Sequence, residues 1–247
     1  MKVLATYSIK GGVGKTASAV NLAFEAASTG ARVLVWDLDP QGAATYYLRI
    51  KPKVKGGTER LVSGKGDLAI HIRASDVAAL HLVPADFSLR HLDLHLDGTK
   101  RPTERLAALL ATVADRYDVA ILDCPPSISL ASESVFGAAD ALLVPVIPTT
   151  LSSRTLDQLE QFLADQKAPP AVLPYFSMVD RRKRLHRDLV ESLPRQFPAF
   201  LSTVIPSASA IERMGPERAA LATFAPTSPA ADAYRALWAE VAARIWS

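Results

Sequence analysis

Two lysines, Lys10 and Lys15, bracket a glycine-rich turn in IKGGVGKTAS, and Thr16 follows the second of them. The apolar run KVLATYS leads into this turn, and the helix-forming stretch AVNLAFEAA leads out of it. A strand, a glycine-rich turn and a helix in that order aim backbone N–H groups and the positive end of a helix at one anion. The backbone of Gly11, Gly12, Val13, Gly14 and Ala17 would line such a site. Lys15 would reach the β- and γ-phosphates of a nucleoside triphosphate, and the Thr16 hydroxyl would hold Mg²⁺.

Three carboxylates have the placement to complete it. In VLVWDLDPQGAAT, Asp37 and Asp39 end an apolar run. Residues two apart on a strand point the same way, here toward the carboxyl edge of a sheet, where ligands bind in doubly wound folds. Both are expected to be ionised at neutral pH. In YDVAILDCPPS a second apolar run ends in Asp123, a carboxylate suited to contacting Mg²⁺ through water. Pro125 and Pro126 stiffen the loop that follows, as a sensor of the γ-phosphate requires.

The elements that must hold these residues alternate along the chain. Strand candidates are residues 2–7, 32–36, 80–83, 119–122, 141–146 and 172–176; helical patterns cover 15–28, 103–116, 152–165 and 230–245. This alternation predicts a single α/β domain over 1–247, with a doubly wound, mostly parallel sheet. Residues 49–66, rich in Lys and Gly, read as a mobile surface insertion. The chain has 247 residues, 49% of them apolar and 21% charged, values that suit a folded domain. No apolar run approaches the roughly 20 residues of a membrane span. Lys10 interrupts the N-terminus too early for a signal peptide. With one cysteine, Cys124, no internal disulfide can form, and a cytoplasmic location is expected. A net charge of +3 leaves any nucleic-acid contact to a local patch.

The phosphate loop departs from the usual GxxxxGK[ST] at one position, because Ile9 stands where the first glycine belongs. What replaces it, KGGVGKT, resembles the deviant Walker A loop of the ParA/MinD family of ATPases. The DLDPQ and DCPP segments resemble the family's DxDPQ and DxPP. The resemblance implies that Lys10 reaches the nucleotide of a facing subunit, so that hydrolysis depends on forming a homodimer. It also implies that Asp37 helps order the water shell of Mg²⁺ and that Asp39 orients the attacking water.

Beyond these loops the likeness is looser. VLPYFSMVDRRKRLHRDLV resembles the segment that joins a base contact to a basic helix, and STVIPSASAIERM resembles a late loop in which Ser207 replaces the usual arginine. Met178 and Pro206 are the adenine neighbours this implies. Arg181, Arg182, Lys183, Arg184 and Arg187 form a basic cluster that ParA-type dimers would use on DNA without reading sequence. An activating partner, ParB-like or a cargo adaptor, follows from the same likeness, as does a nucleoid-associated location.

Two other classes remain open on the sequence. One is a MinD-like membrane-positioning or cellulose-synthesis-associated ATPase, although the last helix, with Arg235 and Arg244 against Asp232 and Glu240, lacks the basic face of a membrane-surface helix. The other is a metabolic enzyme of the dethiobiotin synthetase kind, which the Lys10 signature disfavours. The nitrogenase iron protein is excluded because its shared [4Fe–4S] cluster needs two cysteines per subunit. The sequence opens directly on the first strand, without a helix-turn-helix extension, so a site-specific repressor is not expected.

Overall fold

The computed structural model describes residues 1–246 except 55, 66, 165 and 167. Eight strands form one sheet: β1 (Lys2–Thr6), β2 (Val33–Asp37), β3 (Arg73–Ala74), β4 (Leu80–Val83), β5 (Val119–Asp123), β6 (Ala141–Val146), β7 (Ala171–Val179) and β8 (Val204–Pro206). Their spatial order is β3-β4-β2-β5-β1-β6-β7-β8, and every pairing is parallel except β3 with β4. The central strands β1, β2, β5 and β6 are buried almost throughout. They therefore read as continuous apolar runs, as strands covered on both faces must.

Alternate residues of each strand feed opposite layers. Val3, Ala5, Leu34, Trp36 and Leu122 pack under the helices Leu92–Asp97, Leu130–Ala138 and Ser152–Ala164. Leu4, Val33, Val35 and Ile121 face helix α1 (Lys15–Ser28) and the last helix, Pro229–Ile245. In that last helix Tyr234, Leu237, Trp238 and Val241 are buried. Its apolar stripe is core, and among the described residues no helix is long and apolar enough to cross a membrane.

The expected strands and helices are present, with adjustments. The helix expected over 103–116 is a short 3₁₀ turn, Pro102–Glu104, followed by Arg105–Ala111. That expected over 152–165 runs to Ala164, and Asp165 lies outside the described residues. Strands β3 and β8 and the helix Leu130–Ala138 were not anticipated.

The reading of 49–66 as a mobile insertion is corrected. Residues 57–60 are helical, and Val54, Leu61 and Val62 are buried in the core. The backbone N–H of Val54 donates to Asp86, and that of Thr58 donates to the Ser88 hydroxyl. The apolar residues are too scattered among Lys and Gly to show a period, so only their tertiary partners reveal them. Lys55 and Gly66, within that stretch, lie outside the described residues.

Candidate functional site

The glycine-rich turn connects β1 to α1 at the carboxyl edge of the sheet. Gly12 and Gly14 adopt left-handed conformations, with φ of 71° and 92°, which a side chain would strain. At Gly14 space is also short: a Cβ there would stand 3.0 Å from the Ser177 hydroxyl at the end of β7. Lys15 begins α1 and is 7% exposed, with its ammonium 3.4 Å from the Lys10 carbonyl, to which it donates. Burial lowers the Lys15 pKa, and the nearby Asp123 partly offsets this. Val13 is buried, Gly11 and Gly12 are exposed, and Thr16 and Ala17 are half-buried. Lys10 is exposed. The two lysines thus serve different surroundings, one inside the loop and one outside.

Parallel register brings the carboxylates together. Asp37 pairs with Asp123 across β2 and β5, and Thr6 pairs with Asp123 across β1 and β5. Both aspartates are fully buried. Asp123 has one oxygen without a hydrogen-bond partner, while the other lies 3.4 Å from the Thr6 hydroxyl. Burial raises the Asp123 pKa well above its ordinary value; the Asp37 charge raises it further, and a hydrogen bond from Thr16 opposes this. A buried carboxylate oxygen lacking a donor, beside a lysine and a threonine hydroxyl, fits a site completed by a cation and phosphates. Among the described residues, no three His, Cys, Asp or Glu side chains converge to cage a metal by themselves. Such a cation would rest on Thr16, Asp37, Asp123, water and phosphate oxygens.

Asp37 is more occupied than its sequence position suggests. One oxygen accepts from the Thr45 N–H and hydroxyl at 2.8 and 2.7 Å, and the other from the Asp39 N–H at 3.2 Å. Thr45 in turn accepts from the Ala85 N–H at 2.9 Å. Asp37 therefore also fixes the chain that carries Asp39, a role Thr45 shares and no local pattern announced. Asp39 is half-buried, and one of its oxygens accepts from the Gln41 N–H at 2.9 Å.

Burial pushes the Asp37 pKa from the ordinary 3.8 to about 6. A folded-state pKa above the unfolded one stabilises the protein fully below the unfolded value, and this is lost as pH rises through the folded value. Ligand-free, metal-free protein should accordingly lose stability between about pH 4 and pH 7. At about 1.4 kcal/mol per unit, Asp37 accounts for on the order of 3 kcal/mol of that loss. Urea unfolding of Asp37→Asn should show a shallower pH slope across this window. Parallel slopes for the two proteins would refute the assignment.

The loop carrying Pro125 and Pro126 lies beside the phosphate loop: a Cβ on Gly11 would stand 3.9 Å from Pro126. The Tyr7 hydroxyl donates to the Ser127 carbonyl at 2.8 Å, tying this loop to β1. Cys124 is buried, with its thiol 3.7 Å from the Leu122 carbonyl, as a small core residue.

Of the two adenine candidates, Pro206 lines a groove of about 700 Å³ with Val179, Asp180, Ser207 and Pro229. Met178 is 40% exposed, with φ at 56°, and does not line that groove.

The basic cluster occupies the turn after β7 and the first turn of helix Arg184–Gln196, and all five side chains are exposed. Three of them have local partners. Arg182 pairs with Asp180 at 2.9 Å, Arg184 with Asp188 at 3.6 Å, and Arg187 donates to the Arg181 carbonyl at 2.7 Å.

A strand, a loop of left-handed glycines, a buried lysine and a carboxylate on the neighbouring strand define a P-loop nucleotide-binding protein. A family model described as AAA domain matches residues 1–168. The chain is 32% identical over 251 residues to the sporulation initiation inhibitor protein Soj of Bacillus subtilis (strain 168), covering 98% of each chain. It is 35% identical over 243 residues to the chromosome-partitioning ATPase Soj of Thermus thermophilus, covering 96% of this chain and 93% of that one. Cobyrinic acid a,c-diamide synthase from Mycobacterium smegmatis, solved with bound ATP analogue and magnesium, superposes with a TM-score of 0.82 at 26% identity, covering 100% of this chain and 96% of that one. The chain belongs to the AAA-domain family matched here, among the ParA/Soj-type members of the ParA/MinD ATPases.

Proposed function

We propose that this protein is an ATP-dependent dimerising switch for DNA segregation or cargo positioning. ATP and Mg²⁺ enter the phosphate loop, two subunits close face to face, and the dimer binds DNA without sequence preference. A partner, ParB-like or a cargo adaptor, then stimulates hydrolysis to ADP and phosphate, and the dimer separates. The nucleoid is its place of work, and a plasmid, a chromosome or a protein cluster its cargo. Mg²⁺, when bound, would neutralise charge on the phosphates.

The observation that carries this reading is the division of labour between the two lysines. Lys15 is buried inside its own loop, whereas Lys10 is exposed at the front of it and available to a second copy. A cation delivered from a neighbour makes hydrolysis conditional on assembly. A metabolic ligase needs no such exposed second lysine, and the relative of highest quoted identity is a chromosome-partitioning ATPase.

The basic cluster supports the DNA step. The first turn of helix Arg184–Gln196 has no acidic residue and instead carries arginine, although the helix dipole disfavours cations there. A patch placed against local stability suits an external polyanion. ATP-bound protein should retard two unrelated duplexes equally, and ADP-bound protein neither. Log affinity should fall with log salt by roughly 0.9 per phosphate neutralised. Changing Arg181, Arg182 and Arg184 together to Glu should weaken binding to both duplexes and flatten the salt slope, with ATP affinity retained. Equal DNA affinity of the variant and the wild type would remove the DNA step from this reading.

A further inference from the structure

Asp39 lies on a segment whose far end is held in an unusual way. Pro40, Gln41 and Gly42 follow it, then a short helix, Ala43–Tyr47, then Arg49 in a left-handed conformation with φ at 57°. The helix closes with the Arg49 N–H donating to the Tyr46 carbonyl and the Ile50 N–H to the Thr45 carbonyl, a pattern in which glycine normally takes the place of Arg49. Far along the chain a second short helix, Met214–Glu217, also ends on a left-handed arginine, Arg218, with φ at 48°. Non-glycine residues in this region are strained and persist only where surrounding contacts hold them.

Here each arginine supplies the contacts for the other. The Arg49 guanidinium donates to the carbonyls of Arg218 and Glu217, both at 3.0 Å. The Arg218 guanidinium donates to the Tyr46 carbonyl at 3.2 Å and lies 4.4 Å from the centre of the Tyr46 ring. Each cation thus sits at the carbonyl end of the other's helix, where helix polarity favours it. The segment carrying Arg218 is itself anchored to α1. The Leu221 N–H donates to the Asn21 side chain at 2.8 Å, and Asn21 lies 3.2 Å from the Met214 sulfur.

We propose that Arg49 and Arg218 form a reciprocal clasp that positions Asp39, by fixing the short helix behind it relative to α1. Asp37 and Thr45 hold the near side of that helix, and the clasp holds its far side. Because α1 also begins with Lys15, the clasp links the phosphate-binding helix to the segment bearing the water-orienting carboxylate. The inference rests on the reading of Asp39 as that carboxylate. Neither arginine touches the reacting atoms, so both are positioning residues.

Arg218→Gly separates the side chain from the backbone, since glycine adopts the left-handed conformation without strain. Single-turnover ATP hydrolysis should be measured for wild type, Arg218→Gly, Asp39→Ala and the double variant, with ATP affinity by calorimetry and the thermal midpoint alongside. Arg218→Gly should hydrolyse about tenfold more slowly, because displacing a reacting group by an ångström costs up to about 10²-fold. Its ATP affinity should stay within twofold of wild type. Arg49→Gly should behave alike, and combining the two should cost little more than either alone, as expected for partners in one interaction. In the Asp39→Ala background, Arg218→Gly should slow hydrolysis no further. The same tenfold loss in that background would overturn the clasp, as would normal hydrolysis by Arg218→Gly beside a slow Asp39→Ala. Wild-type hydrolysis by Asp39→Ala would instead remove the water-orienting role, and the clasp with it.

Discussion

Replacing Lys15 by Ala is expected to abolish measurable ATP binding in calorimetry. The side chain is buried within the loop, and the partner it donates to, the Lys10 carbonyl, is neutral, so its charge is available to the γ-phosphate. Removing one member of a buried charge pair costs about 3–5 kcal/mol. That corresponds to roughly 10²- to 4 × 10³-fold in affinity at about 1.4 kcal/mol per decade. An affinity equal to that of the wild type would mean that this loop does not bind phosphate.

Lys10→Ala should give a different result. Lys10 is exposed, so the variant should fold and bind ATP much as the wild type does. Hydrolysis should fall on the order of 10³-fold or more, the scale at which a cation supplied in trans acts on phosphoryl transfer. Mixing it with Lys15→Ala should restore turnover, since a mixed dimer contains one site with its own Lys15 and the neighbour's Lys10. Normal turnover by Lys10→Ala alone would end the in-trans role. Failure of the mixture to recover, with mixed dimers present by light scattering, would end it equally.

The parts of the site that were legible in the sequence are local. The turn between β1 and α1 announces itself because glycine, lysine and threonine must fall at fixed offsets for a backbone to wrap an anion. Asp37 and Asp123 could be placed because each ends an apolar run, and parallel register then sets them opposite one another. What escaped notice depends on contacts between distant segments. Thr45 looks like any helical threonine until Asp37 and Ala85 are seen on either side of it. Ser177 matters only because Gly14 passes close to it. Arg218 is one arginine among many until its φ and its contact with Tyr46 are known. Strand β8 has three residues and ends in Pro206, below the length at which alternation can be recognised. Val54, Leu61 and Val62 lack a period because they reach the core from loops and short turns rather than from one helical face.

The last helix bears on how a membrane role would be examined. Deleting such a helix and watching for detachment from vesicles is a natural experiment for a lipid-associated relative. In this protein Tyr234, Leu237 and Val241 share a core layer with Ala19, Leu22 and Ala26 of α1. Glu240 accepts hydrogen bonds from the backbone N–H groups of Ser202 and Thr203, joining the helix to the approach to β8. Truncation would bare the underside of the helix that begins with Lys15. Lost lipid binding and lost nucleotide binding would then arrive together, and the deletion would report on misfolding instead of membranes. Lysine substitutions at the exposed positions Ala236 and Ala239 alter the outer face while sparing that layer, and so provide the interpretable comparison.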